Sequence, residues 1–91
     1  NARLLAEGLS KIEGILIDLS TVQTNIVMFN VSGLDISAYN FVELLKSKGV
    51  LCLPFSGTKV RMVTHRGIER HHIEKTLAII EDLVPKILNR G

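Results

Sequence analysis

The sequence predicts a small α+β domain whose helices cover one face of a mostly antiparallel sheet. Its 91 residues suffice for one domain, and no repeat or linker divides them. Segments with the apolar period of helices alternate with short segments that have the period of strands. Hydrophobic residues form 46% of the chain but aromatic residues only 4%, so the predicted core is built from Leu, Ile and Val.

The N-terminal part predicts one helix followed by one short strand. Leu5 and Leu9 recur at helical spacing within Asn1–Ile12, and Gly14 is the expected stop. The apolar run Ile15–Leu19 then has the length of an edge strand.

The middle of the chain predicts a helix with one strand before it and one strand after it. Thr24–Val31 is rich in β-branched residues and has the length of a strand. Ser37–Lys48 predicts a helix, because Ser37 is a suitable N-cap and Gly49 stands where helices commonly end. Val50–Leu53 predicts a brief strand that the following proline ends.

The C-terminal part predicts a strand over Thr58–Thr64 and a long helix over Glu69–Leu88. Side chains alternate across a strand, so two sets of side chains are expected on opposite faces. One set is Val60 and Met62, and the other is Lys59, Arg61 and Val63. The buried stripe of the helix is predicted to consist of Ile73, Leu77, Ile80, Val84 and Ile87.

Charge and cysteine content narrow the function classes. The chain has 11 basic and 9 acidic residues, and the basic ones are scattered, which argues against nucleic-acid or membrane binding. No apolar run has the length of a membrane span. The single cysteine, Cys52, favours a reducing compartment, so we expect a cytoplasmic protein. Because the chain starts without a methionine, we expect it to be part of a longer one.

Arg61 is the candidate binding residue. Its planar guanidinium can donate two parallel hydrogen bonds to one carboxylate, and it lies on a predicted strand between apolar residues. An arginine that faces water is the commoner case at such a position. The residue pattern alone therefore leaves both interpretations open.

The other reactive side chains have weaker patterns. His65 is a candidate for acid–base chemistry, although a loop histidine gives the same pattern. His71 and His72 would point about 100° apart on a helix, and no zinc-ligand spacing is present, so we predict no metal site. Cys52 lies between two leucines, which favours a buried structural thiol.

Three stretches, taken together and in this order, resemble one family. They are Gln23–Val27 on the long predicted strand, Leu45–Leu51 across a helix end, and Lys59–His65 before the last helix. They are similar to the C-terminal part of the low-specificity L-threonine aldolases, which belong to the aspartate-aminotransferase-like, fold type I class of pyridoxal-phosphate enzymes. The resemblance covers nearly the whole chain. Arg66–Ile68 departs from the more acidic segment expected of the family at that point.

The resemblance implies a lyase that uses pyridoxal 5′-phosphate to cleave threonine or allo-threonine to glycine and an aldehyde, in threonine catabolism and glycine formation. Residues 1–14 would form a helix that leads in from a large domain, and residues 15–91 the C-terminal small domain. The large domain of the same chain would carry the Schiff-base lysine and most of the cofactor contacts. The 91 residues alone would then be inactive. A homo-oligomer, dimer or tetramer, is also implied.

The resemblance further implies that Arg61 binds the α-carboxylate of a small amino-acid substrate. Such a clamp fixes rotation about the substrate's Cα–N bond and so selects the bond that breaks. No catalytic residue would lie in these 91 residues. Asn25 and His65 are expected to line the same region.

Two other functions stay open. The first is the small domain of another type I lyase or aminotransferase, because small domains of this class look alike. The upstream sequence would discriminate between these enzymes. A free-standing α+β module that binds an amino acid or a protein partner is the second, because a fold alone does not determine a function.

Overall fold

The described residues fold into helices packed on an antiparallel sheet, which confirms the predicted α+β class. The structure is a computed structural model, and it describes residues 2–23, 25–64 and 70–89. The α-helices are α1 (Ala2–Leu9), α2 (Ala38–Ser47) and α3 (Arg70–Leu88). The strands are β1 (Ile26–Asn30), β2 (Leu53–Pro54) and β3 (Lys59–Val63). Short 3-10 turns occupy Leu19–Thr21 and Ser32–Leu34.

The sheet has the strand order β1-β3-β2, and both pairings are antiparallel. Met28 of β1 lies opposite Arg61, and so does Leu53 of β2 on the other side. Ile26 lies opposite Val63 at the end of the β1–β3 pair. The strand β3 is therefore central, and Arg61 has a paired neighbour on each side.

One face of the sheet packs against the helices. Val27 and Phe29 of β1 and Val60 and Met62 of β3 point to this face and are at most 5% exposed. Phe29 meets Phe41 of α2 edge-to-face, with ring centroids 6.0 Å apart. Burying each such side chain contributes about 1.5–3 kcal/mol. The helices add Leu5, Leu9, Leu45, Ile73, Ile80, Val84 and Ile87 to the same core.

The ends of α2 agree with the sequence prediction. The Ser37 hydroxyl accepts a hydrogen bond from the Asn40 backbone N–H at 3.1 Å, which caps the first turn. Gly49 has φ +88°, and its N–H donates to the Lys46 carbonyl at 3.0 Å. Glycine is the residue best suited to that left-handed conformation.

The region between α1 and β1 departs from its prediction. The helix ends at Leu9 instead of Ile12, because Lys11 and Ile12 donate to carbonyls three residues back and tighten the chain. Ile12 nevertheless stays buried. The strand expected over Ile15–Leu19 is wrong as well. There, Leu16 forms only an isolated bridge with Asn30.

A hydrogen-bonded turn explains why no strand forms after Leu16. The Asp18 carboxylate accepts from the Ser20 N–H at 3.0 Å and from the Ser20 hydroxyl at 2.6 Å. These bonds start the 3-10 turn at Leu19–Thr21 and lower the pKa of the Asp18 carboxyl. Hydrogen bonds to the Asp18 side chain therefore stabilise a turn where a strand was predicted.

The strand predicted over Val50–Leu53 is displaced toward the C-terminus, to Leu53–Pro54. The Val50 N–H donates to the Leu45 carbonyl at 2.9 Å and so completes the end of α2. That donor is not available to the sheet. The helix α3 lies within its predicted range and continues through Pro85, but Leu77 of its predicted buried stripe is only half-buried. No helix among residues 2–23, 25–64 and 70–89 combines the length and apolarity needed to cross a membrane.

The 3-10 turn at Ser32–Leu34 lies directly against the loop that follows α1. A Cβ atom on Gly33 would stand 2.8 Å from the Gly14 carbonyl oxygen and 3.2 Å from the Gly14 Cα. Both atoms belong to the backbone, which cannot rotate away as a side chain can. This close approach therefore requires glycine at position 33.

Gly33→Ala is expected to lower the free energy of unfolding by about 1–3 kcal/mol, because the added methyl group overpacks against backbone. Gly57→Ala is the matched control, since a Cβ there meets no atom within 4 Å, and its effect should stay below about 1 kcal/mol. Urea denaturation followed by circular dichroism measures both. Equally small effects at the two positions would contradict the close approach.

Candidate functional site

The face of the sheet that points away from the core is here called the open face. Paired residues of antiparallel strands point to the same side, so the strand register defines its members. Three of its apolar side chains are strongly exposed, namely Leu16 at 57%, Leu53 at 60% and Val63 at 41%. The complete set is Leu16, Ile26, Met28, Asn30, Leu53, Lys59, Arg61 and Val63.

Arg61 lies at the centre of the open face. It is half-buried, and the side chains of Met28 and Leu53 flank it from the neighbouring strands. Within the described residues its guanidinium has no hydrogen-bond or ion-pair partner. The open face has a second cation, Lys59, and none of its members is acidic. The result is a positively charged centre with apolar surroundings.

This arrangement suits an anionic ligand that has a planar, two-oxygen head group. A guanidinium offers two parallel N–H donors at the spacing of carboxylate oxygens. The flanking Met28 and Leu53 reduce contact with water on two sides, which strengthens a charged hydrogen bond. A carboxylate bound here would also neutralise an otherwise unpaired, half-buried cation.

Asn25, another predicted site residue, lies at one end of the sheet. Asn25 directly precedes β1, is exposed, and accepts a hydrogen bond from the Thr64 N–H through its backbone carbonyl at 2.8 Å. It is about three residue steps from the Arg61 row, roughly 10 Å along the strand direction. His65 lies outside the described residues. The structure thus leaves Asn25 at the end of the sheet and out of contact with Arg61. Its backbone partner Thr64 is buried on the helix side, so the strand register does not place Asn25 on the open face.

Two further polar or reactive side chains near the sheet, Asn30 and Cys52, are not placed for chemistry. The Asn30 side-chain oxygen accepts from the Ser32 N–H at 2.7 Å and so holds the turn after β1. Cys52 is half-buried, and burial raises the pKa of its thiol to about 11. A thiol with that pKa is almost wholly protonated near neutral pH, which makes it a poor nucleophile.

No lysine of the chain has the surroundings expected of one that binds pyridoxal phosphate covalently. A lysine that binds this cofactor covalently needs a lowered pKa, which comes from burial or from neighbouring cations. Every lysine is instead exposed at the surface: Lys11, Lys46, Lys48, Lys59, Lys75 and Lys86. The described part of the chain also contains no group of three or more His, Cys, Asp or Glu side chains placed to hold a metal ion.

The positions of Met28 and Leu53 beside Arg61 were not predicted from the sequence. The flanking roles of Met28 and Leu53 depend on strand register, which a single strand's pattern does not contain. The alternating pattern of β1, with Val27 and Phe29 on the other face, did contain a signal for Met28. No comparable signal existed for Leu53, because β2 is only two residues long.

Comparison with known proteins confirms the family resemblance. Over 83 residues, or 90% of its length, the chain is 31% identical to "Probable low-specificity L-threonine aldolase 2" of Arabidopsis thaliana. Over 81 residues, or 88% of its length, it is 28% identical to "Low-specificity L-threonine aldolase 1" of the same plant. The chain spans 23% of the length of each of these curated relatives. No family model matches it.

Arg61→Met is expected to leave the free energy of unfolding of the 91-residue chain unchanged or to raise it by up to about 1 kcal/mol. The reason is that an unpaired, half-buried cation is replaced by an apolar side chain of similar length. Lys59→Met, on the same strand and face, controls for the loss of one positive charge. Chemical denaturation measures both variants. A loss of more than about 1 kcal/mol for Arg61→Met alone would show that Arg61 has a structural partner.

Proposed function

We propose that these residues form the substrate-binding small domain of a longer, pyridoxal-phosphate-dependent threonine aldolase. The observation that carries the proposal is Arg61, an unpaired and half-buried guanidinium at the centre of an open, apolar sheet face. The similarity to two threonine aldolases along 88–90% of the chain supports it. The activity of the whole protein, its substrates and its partners all belong to the proposal.

In this proposal Arg61 binds the α-carboxylate of a β-hydroxy amino acid. Two parallel N–H donors hold both carboxylate oxygens in one plane, and this removes rotation of the substrate about its Cα–N bond. The flanking Met28 and Leu53 keep the guanidinium from rotating freely and limit its hydration. The cofactor, when bound, supplies the electron sink that such a cleavage requires. Asn25 and His65 are proposed to line the same region.

The open face is proposed to lie against the cofactor-binding domain of the same chain. Leu16, Leu53 and Val63 leave apolar surface in water, and such patches commonly mark contact surfaces. Residues 1–14 would lead in from that large domain, and residues 15–91 would form the small domain. Because all six lysines here are exposed, the Schiff-base lysine is assigned to the large domain. A cytoplasmic homo-oligomer, dimer or tetramer, completes the proposal.

Variants of Arg61 in the native, full-length polypeptide test the proposal. Arg61→Gln should lower kcat/KM for L-threonine cleavage by about 100-fold, because charged hydrogen bonds worth about 3 kcal/mol are lost. Arg61→Lys should lower it by about 10-fold, since a point charge replaces the fork. Lys59→Gln is the matched control and should have little effect. Activity is followed by the release of acetaldehyde.

A second readout separates carboxylate binding from general damage. Glycine should compete with the substrate, and Arg61 should strengthen its binding through the carboxylate. Ethanolamine has no carboxylate, so Arg61 should not strengthen its binding. In Arg61→Gln the inhibition constant of glycine should rise about 100-fold, while that of ethanolamine should stay unchanged. Equal changes for both inhibitors, or near-normal turnover in both Arg61 variants, would contradict the assignment.

The products identify the reaction class in the same assay. Release of an aldehyde and glycine supports an aldolase. Release of a 2-oxo acid or ammonia would contradict the aldolase assignment and favour another type I lyase or an aminotransferase, with the role of Arg61 retained.

A further inference from the structure

A cleft lies on the helix side of the sheet, and Val63 is the one residue of its lining that also belongs to the open face. Its volume is about 550 Å³, which is within the usual range for small-molecule sites. One wall is the first half of α3, and the opposite wall is the connection from α2 to β2, around Gly49 and Val50. Its floor comes from Leu5 of α1 and Met62 of β3. Because Met62 and Arg61 point to opposite faces of β3, the cleft does not include Arg61.

The floor of the cleft is apolar and well packed. Leu5 is 2% exposed, Met62 5% and Ile73 2%, so these side chains are held by the core and form a surface with little freedom to rearrange. Pre-formed apolar floors of this kind bind the hydrocarbon part of a ligand without a large ordering cost. The polar side chains of the lining other than lysine are Thr64, Thr76 and His72.

The charged residues of the cleft are all basic. Lys48 and Lys75 belong to the lining, and the lining includes no Asp or Glu. Neither lysine has an ion-pair partner within the described residues. Other cations of α3 are matched along the helix, since Arg70 lies 3.5 Å from Glu74 and Lys86 donates to Asp82 at 3.1 Å. Among the described residues, Lys48 and Lys75 thus place two cations without an acidic partner at the rim of the cleft.

From these observations we propose that the cleft binds a small organic anion that has an apolar body and one anionic head group. The body lies on the floor formed by Leu5, Met62 and Ile73, and the head group lies at the Lys48 and Lys75 rim. Burial of hydrocarbon supplies most of the binding free energy. The two lysines select the sign of the charge, because a cationic head group would meet repulsion without any compensating acid.

Octanoate is the probe for this proposal, with octylammonium as the ligand of equal length and opposite charge. Titration into the 15N-labelled 91-residue chain should move the amide resonances of Met62, Thr64 and Thr76 at a lower concentration of octanoate than of octylammonium, because the two ligands share the hydrocarbon contact and differ in the sign of the head group. Lys48→Gln and Lys75→Gln should each weaken octanoate binding by about two- to five-fold, because exposed charge pairs contribute up to about 1 kcal/mol.

Lys46→Gln is the matched control, because Lys46 lies in the last turn of α2 but outside the cleft lining. Each variant replaces an exposed lysine, so the fold is expected to persist, and circular dichroism verifies this. Three results would overturn the proposal: equal binding of the two ligands, equal effects of Lys46→Gln and the cleft variants, or resonance changes confined to Met28 and Arg61. The last result would place octanoate on the open face and leave the proposed role of Arg61 intact.

Discussion

Val60 and Met62 determine the orientation of the central strand, because both side chains are buried on the helix side at 0% and 5% exposure. The two-residue period of a strand then forces Arg61 onto the opposite face. A slip of one residue would bury Arg61 and Lys59 in the core and expose Val60 and Met62, at a cost of several kcal/mol. Both surfaces to which we assign a role depend on this alternation. The open face contains Arg61, and the cleft contains Met62.

The open face and the cleft differ in the side chains that they offer for binding. The open face keeps an unpaired guanidinium between Met28 and Leu53, and exposed Leu16 and Val63 nearby. The open face adds little to the free energy of unfolding of a 91-residue chain, whose core is small relative to its surface. Its apolar side chains are buried only when another domain covers them. The cleft is different, since its floor already belongs to the packed core, and its rim lysines have no ion-pair partner among the described residues.

The sequence predicted those elements whose signals are local. The alternation in Thr58–Thr64 predicted both faces of β3 correctly, and Ser37 with Gly49 predicted both ends of α2. The same reasoning failed for Ile15–Leu19, because a short apolar run is compatible with several conformations and the Asp18 carboxylate stabilises a turn there. The start of β2 was misplaced because the Val50 N–H completes α2.

The sites were predictable only in part, for a physical reason. Arg61 was predicted as a candidate because that inference uses only its residue type and its position on a strand. The family resemblance then suggested its role. Its flanking residue Leu53 and the whole helix-side cleft arise from contacts between segments far apart in the chain. Leu5, Lys48, Met62 and Lys75 come together only when α1, α2, β3 and α3 are packed. No periodicity in the sequence contains that information.

The intact mass of the native polypeptide, measured together with its pyridoxal-phosphate content, tests the central claim most directly. The account predicts a chain several times longer than 91 residues that holds one pyridoxal phosphate per chain, attached to a lysine outside these residues. A native chain of 91 residues that binds none would contradict the enzyme proposal. Arg61 would then be the anion-binding residue of a free-standing module.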